Sequence, residues 1–197
     1  MPRNTTVTRL GRRLVLLAMT AAWLALPPAV TAQVATAPQS SPGASLDQLR
    51  ATAQARMRRD AETFTREELR AIEQLYQSAN RNLRAPDSRD RLQEVIDRYP
   101  ASNRAGCAAL YLAQMSPESD REALLKQAIE RHADAWYGDG TQVGPLARAS
   151  LAALYEKQKR QDEARAAARV VATETPDAVD HQGRRIVDVL RGMGLLD

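Results

Sequence analysis

One short helix recurs three times along this chain, and that recurrence limits what the chain can fold into. Ile72-Glu73-Gln74-Leu75-Tyr76, Cys107-Ala108-Ala109-Leu110-Tyr111 and Leu151-Ala152-Ala153-Leu154-Tyr155 all end in Leu-Tyr, at spacings of 35 and then 44 residues. Each is followed by another apolar segment, which stops at Tyr99-Pro100, His132-Ala133-Asp134 or Thr175-Pro176-Asp177. Residues 145–176 show the unit most clearly. Leu146, Ala147, Ser150, Leu151, Ala152, Leu154 and Tyr155 recur at steps of three and four, which is one face of a helix. Lys157, Lys159, Arg160 and Gln161 interrupt the stripe, and Ala164, Ala168, Val171 and Ala172 resume it. Pro176 ends the second helix, because proline disfavours helical geometry in the residue before it. Neither helix is long enough to bury its stripe alone, so the units must stack.

The spacing resembles the tetratricopeptide repeat (TPR) family. Ala152, Tyr155, Ala164 and Pro176 fall on that family's small residue, tyrosine, second-helix alanine and terminal proline. Arg148 stands where the family has tryptophan, and Lys159-Arg160-Gln161 replaces its turn glycine. The first Leu-Tyr spacing is close to the family's ~34-residue repeat, and residues 137–144 form the insertion that lengthens the second. The resemblance implies an all-α fold of antiparallel helix pairs stacked as a short right-handed solenoid. It also implies a groove that binds a protein or peptide. The groove face it assigns is Ser102, Ala105, Ala109 and Ala113, then Leu146, Ala149, Ala153 and Lys157. That face is small and apolar, which suits an apolar helix or extended segment better than a two-carboxylate clamp.

Along the chain, residues 1–32 read as a secretory signal peptide. A basic start precedes an apolar run from Leu14 to Leu26 that is too short to span ~30 Å of bilayer, and Val30-Thr31-Ala32 offers a cleavage site. The expected location is therefore periplasmic or extracellular, with no membrane span left after cleavage. Residues 33–45 read as a disordered linker. Residues 46–64 carry an N-terminal helix with the stripe Leu46, Leu49, Ala53, Met57, Ala61 and Phe64; Arg50, Arg56, Arg58 and Arg59 fall on its solvated side. Residues 65–197 form the repeat domain. Thr65 and Glu68 make a capping box for a helix running to about Leu83. Asp87 or Ser88 caps the next, and another occupies 102–115. Ser116-Pro117-Glu118 reads as capping serine, first-position proline and first-turn acid. A last helix over 178–191 ends at Gly192 and Gly194 and covers the final repeat.

The formal charge of +4 comes from the leader. Arg3, Arg9, Arg12 and Arg13 lie before residue 33, and the remaining 24 basic side chains balance 24 acidic ones. A basic field for nucleic acid is thus absent. The lone Cys107 cannot form an intramolecular disulfide and sits on an apolar face, as a small buried hydrophobe. No nucleophile elbow, phosphate loop or metal-ligand spacing is present, so no enzyme, cofactor or metal is expected. The candidate contact residues are Trp136, Tyr137, Asp139 and Gln142 in the glycine-rich loop, with Tyr111 and Lys157 on the helices. The main expectation is an exported TPR-like adaptor. The alternative is a structural part of an envelope assembly, oligomerising through residues 46–83; a weaker third is an envelope enzyme acting through His132 or Asp139.

Overall fold

The computed structural model describes residues 43–197, so the expected signal peptide and most of the expected linker lie outside the described residues. The described residues form an all-α fold with eight helices. These are α1 (Leu46–Thr63), α2 (Arg66–Asn80), α3 (Ser88–Arg98), α4 (Asn103–Met115), α5 (Glu118–His132), α6 (Val143–Lys157), α7 (Gln161–Glu174) and α8 (Ile186–Gly192). From α2 onward each helix packs on the next. The even helices also meet one another, α2 on α4, α4 on α6 and α6 on α8, whereas α3, α5 and α7 do not. Composition explains the difference. The even layer is built with Ala105, Ala108, Ala109 and Ala113 in α4 and Ala147 and Ala152 in α6, whose small side chains let backbones approach. Closer spacing in one layer curves the stack toward that layer.

The odd layer carries the backbone repeat. Leu92, Leu125 and Ala168 are fully buried in α3, α5 and α7, as are Val95, Ala128 and Val171, so the repeat is 33 residues and then 43. The added length lies between α5 and α6, where the sequence placed it. It also recurs where the sequence placed a helix. Residues 178–185 are a loop, and α8 begins only at Ile186. This loop repeats the backbone turn of the earlier one, although the Gly144 N–H to Ala133 O bond of the first has no counterpart at Val187. Trp136 bridges Gln142 and Val179 bridges Arg185. Tyr137 N donates to Thr141 O as Asp180 N does to Arg184 O, and Val143 N to Ala135 O as Ile186 N does to Ala178 O. Gly140 (φ 97°) and Gly183 (φ 75°) make the same left-handed turn. Outside that glycine and Ala135/Ala178 the two loops share few residues, so periodicity read Val179 into the following helix.

Three further expectations are corrected. The Leu-Tyr repeat is not in register with the backbone repeat. Tyr76 and Tyr111 stack at 6.1 Å, but Tyr155 faces α5, with its hydroxyl donated to Glu122. Ser116 does not cap α5; it closes α4, donating to Leu112 O and accepting from Arg89. Neither Asp87 nor Ser88 caps α3 through its side chain. Asp87 pairs with Arg91, and the Ser88 hydroxyl donates to Asn82 O. The Thr65–Glu68 capping box is present as expected.

Extended backbone at Phe64 ends α1 and turns it back over the stack. The helix crosses three successive connections between pairs. Leu46 lies against Gly183, Leu49 against Gly140, and Asp60 accepts the Asn103 backbone N–H at 2.9 Å. Arg56, expected in solvent, is mostly buried instead. It bridges Asp60 at 2.8 Å and Asp134 at 3.0 Å. Leu49 and Ala53 are buried within the chain, and covering the leucine alone contributes about 2 kcal/mol. Leu46, Met57 and Phe64 of the same stripe are half-buried, and Ala61 is exposed.

Candidate binding groove

The inner surface of the even layer carries a trough along α6, between α4 and α8. Two cavities of about 260 Å³ and 320 Å³ share Gln114, Ser150 and Ala153, so they are continuous. Leu146, Ala149, Ala153, Val189 and Met193 make its floor, and Met193 is the one exposed large hydrophobic residue among the described residues. From Leu146 to Lys157 the trough runs about 16 Å at ~1.5 Å per residue. The expected α6 face of Leu146, Ala149, Ala153 and Lys157 thus lines it. The expected α4 face does not: Ser102, Ala105, Ala109 and Ala113 are buried between helices, and α4 shows the trough Gln114 instead.

One end of the trough is cationic. Lys157 pairs with Glu118, holding that carboxyl below its usual range. Arg121 donates to Ser116 O at 2.8 Å, and its buried Nε–H has no partner among the described residues. Behind them Glu122 accepts from Arg160 at 2.6 Å, from Lys126 at 2.7 Å and from the Tyr155 hydroxyl at 3.0 Å. Arg160 first, then Lys126, bring the Glu122 carboxyl down to about 2. A carboxyl depressed on folding contributes stability above its unfolded value of ~4.3, and that contribution is lost as pH falls toward the folded value. The melting temperature should therefore fall between about pH 5 and pH 2. Glu122→Gln should melt lower at pH 7 and lose less over that interval; equal pH slopes in both proteins would refute the linkage.

The other end is formed by the paired loops. Asn103, fully buried at the start of α4, clamps the backbone of Trp136. Its Nδ2 donates to Trp136 O at 2.7 Å and its Oδ1 accepts from Trp136 N at 2.8 Å. The Tyr137 ring is buried, with its hydroxyl donated to Cys107 O at 3.2 Å. Burial pushes the Cys107 thiol up to about 12, which leaves it unreactive. Asp139 accepts from Thr141 N at 2.9 Å and faces His181 Nδ1 at 2.8 Å. Burial would raise the Asp139 carboxyl, but the His181 and Thr141 hydrogen bonds outweigh it and hold it below the usual carboxylate range.

The six residues singled out in the sequence therefore separate. Tyr111 lies between Tyr76 and Tyr137, 5.6 Å from the latter's ring. Tyr137 serves the core, Trp136 is half-buried, and Gln142 donates to Ala133 O at 3.0 Å. Asp139 is exposed beside the trough, and Lys157 is exposed at its far end. The sequence missed His181, Gln114, Val189 and Met193. The glycine shared by the two loops was the one signal that could have drawn attention to His181. Among the described residues no group of three or more His, Cys, Asp or Glu side chains could hold a metal ion, and no helix is long and apolar enough to cross a membrane. Comparison with family models, curated proteins and solved structures gives no match.

Proposed function

We propose that this chain is an exported, TPR-like adaptor that holds a segment of a protein or peptide in the trough along α6. The observation that carries the reading is the trough itself, continuous over several turns of one helix, apolar on its floor and polar at both ends. About 16 Å of groove matches roughly five extended residues at ~3.3 Å each. Small floor residues leave room for the ligand's side chains, and concave apolar surfaces with a few polar groups are the usual form of a binding site. The export part of the reading rests on residues 1–32 alone.

In-cell photo-crosslinking tests it. A photoreactive residue at Ala149, in the trough, should give discrete adducts, and one at the exposed Ala123 on α5 should not. Ala153→Arg, which fills the trough, should remove the adducts. Equal labelling from both positions, or adducts that survive Ala153→Arg, would overturn the assignment.

A further inference from the structure

We propose that His181 is the polar anchor of the trough, an oriented acceptor that takes a backbone N–H from an extended peptide lying along α6. This rests on the peptide-binding reading above and adds the chemistry of its recognition. His181 lines the α8 end of the trough, in the cavity of about 260 Å³, with Leu146 and Ile186. Its Nδ1 faces Asp139 Oδ2 at 2.8 Å, and the Tyr137 ring meets it edge-on with centroids 4.6 Å apart. An ionised carboxylate only accepts hydrogen bonds, so Nδ1 carries the proton. In the neutral ring Nε2 is then the unprotonated nitrogen, and among the described residues it has no hydrogen-bond partner. Of the charged groups in the same loop, Asp180 and Arg184 pair with each other at 2.7 Å and Arg185 donates to Pro176 O at 3.0 Å.

The two copies of the loop show that this side chain is surplus to the turn. The position of His181 in the second loop is held by Gly138 in the first, and the backbone hydrogen bonds that close the turn are the same, Tyr137 N to Thr141 O as Asp180 N to Arg184 O and Gly140 N to Tyr137 O as Gly183 N to Asp180 O. The turn forms without an imidazole, yet one is present, aligned by a carboxylate from the neighbouring loop. An extended peptide supplies what the trough lacks. Its same-face side chains, ~6.6 Å apart, descend near Ala149 and Ala153, ~6 Å apart along α6, while its N–H groups need acceptors along one edge. Gln114, on the opposite wall, offers an amide to the peptide's carbonyls.

The test uses the purified full chain and a fluorescein-labelled, end-blocked nonapeptide of alternating valine and serine, read by anisotropy at pH 8. A second peptide is N-methylated at every other amide, which removes the donors. His181→Ala should weaken binding of the first peptide about five- to tenfold, the range of one hydrogen bond. The methylated peptide should bind wild type and His181→Ala alike. If His181→Ala binds as wild type does while Ala153→Arg abolishes binding, the anchor is overturned and the peptide reading survives. If wild type binds neither peptide, both fall. A ligand-free measurement stands beside these. Long-range proton–nitrogen correlation spectra, simple to assign because the chain has two histidines, should show His181 protonated at Nδ1; protonation at Nε2 alone would overturn the proposal.

Discussion

Gly106→Ala is expected to destabilise the fold by about 2–3 kcal/mol, although the same exchange in an open helix stabilises by about 1 kcal/mol. Gly106 sits inside α4 where it crosses the end of α5. A Cβ built there falls 2.3 Å from the Ala135 Cβ and 3.0 Å from the His132 Cβ. Both neighbours are fixed to their backbones, so no rotamer change relieves the overlap and α4 must move from the 132–135 segment. At roughly 2–4 °C per kcal/mol for a chain of this size, the melting temperature should fall by about 5–10 °C. Gly192→Ala is the control. Nothing lies within 4 Å of its Cβ, so it should melt at or slightly above wild type. A rise in both variants would mean that α4 and the α5–α6 connection are not in close contact.

Gly106 also shows where sequence reading succeeds and where it stops. Helix existence, the Thr65 capping box and the breaks near Tyr99, His132 and Thr175 all come from local chemistry, namely periodicity, an N-cap hydroxyl and residues that cannot continue a helix. Local chemistry is written in adjacent residues. The fold-back of α1 is not. It depends on Asp60 meeting an N–H 43 residues away, and on Arg56 meeting an aspartate 78 residues away. An arginine off the apolar stripe looks solvated until its partner is placed. The second loop was illegible for another reason. Its turn needs one residue at positive φ and a set of backbone hydrogen bonds, and backbone bonds constrain side chains weakly. Ala-Trp-Tyr-Gly-Asp-Gly and Ala-Val-Asp-His-Gln-Gly therefore follow one path while sharing little. His181 was hidden with it, since Asp139 and His181 become partners only when both loops are recognised as stacked copies. Tyr155 gave the opposite error. Its Leu-Tyr motif matched those of α2 and α4, yet its ring serves the α5–α7 side, where Arg160 lies 4.1 Å above it.

The second large effect is expected at Asn103, where the reach of one buried amide determines how two connections are joined. Asn103→Ala removes two hydrogen bonds to the peptide groups flanking Trp136, leaving the half-buried N–H without a partner and the C=O with only the 3.5 Å contact from the Cys107 thiol. Each such loss costs about 1–3 kcal/mol, so the total should be about 2–4 kcal/mol, with the melting temperature lower by about 5–15 °C. Asn103→Asp keeps the acceptor for Trp136 N but removes the donor to Trp136 O and places a charge in a fully buried site, so it should be no milder. Hydrogen exchange separates the local effect from the global one. The Trp136 amide should exchange faster in Asn103→Ala at denaturant concentrations where the Leu92 and Leu125 amides of α3 and α5 are still protected. The Asn103 backbone N–H is held independently by Asp60, so Asp60→Ala should loosen α1 and the start of α4 while the Trp136 clamp persists. If Asn103→Ala and Asp60→Ala accelerate the same amides to the same extent, the clamp and the α1 latch are one cooperative unit. If Asn103→Ala leaves the Trp136 amide protected, the amide is not what fixes the loop, and the alignment of Asp139 with His181 beyond it would need another cause.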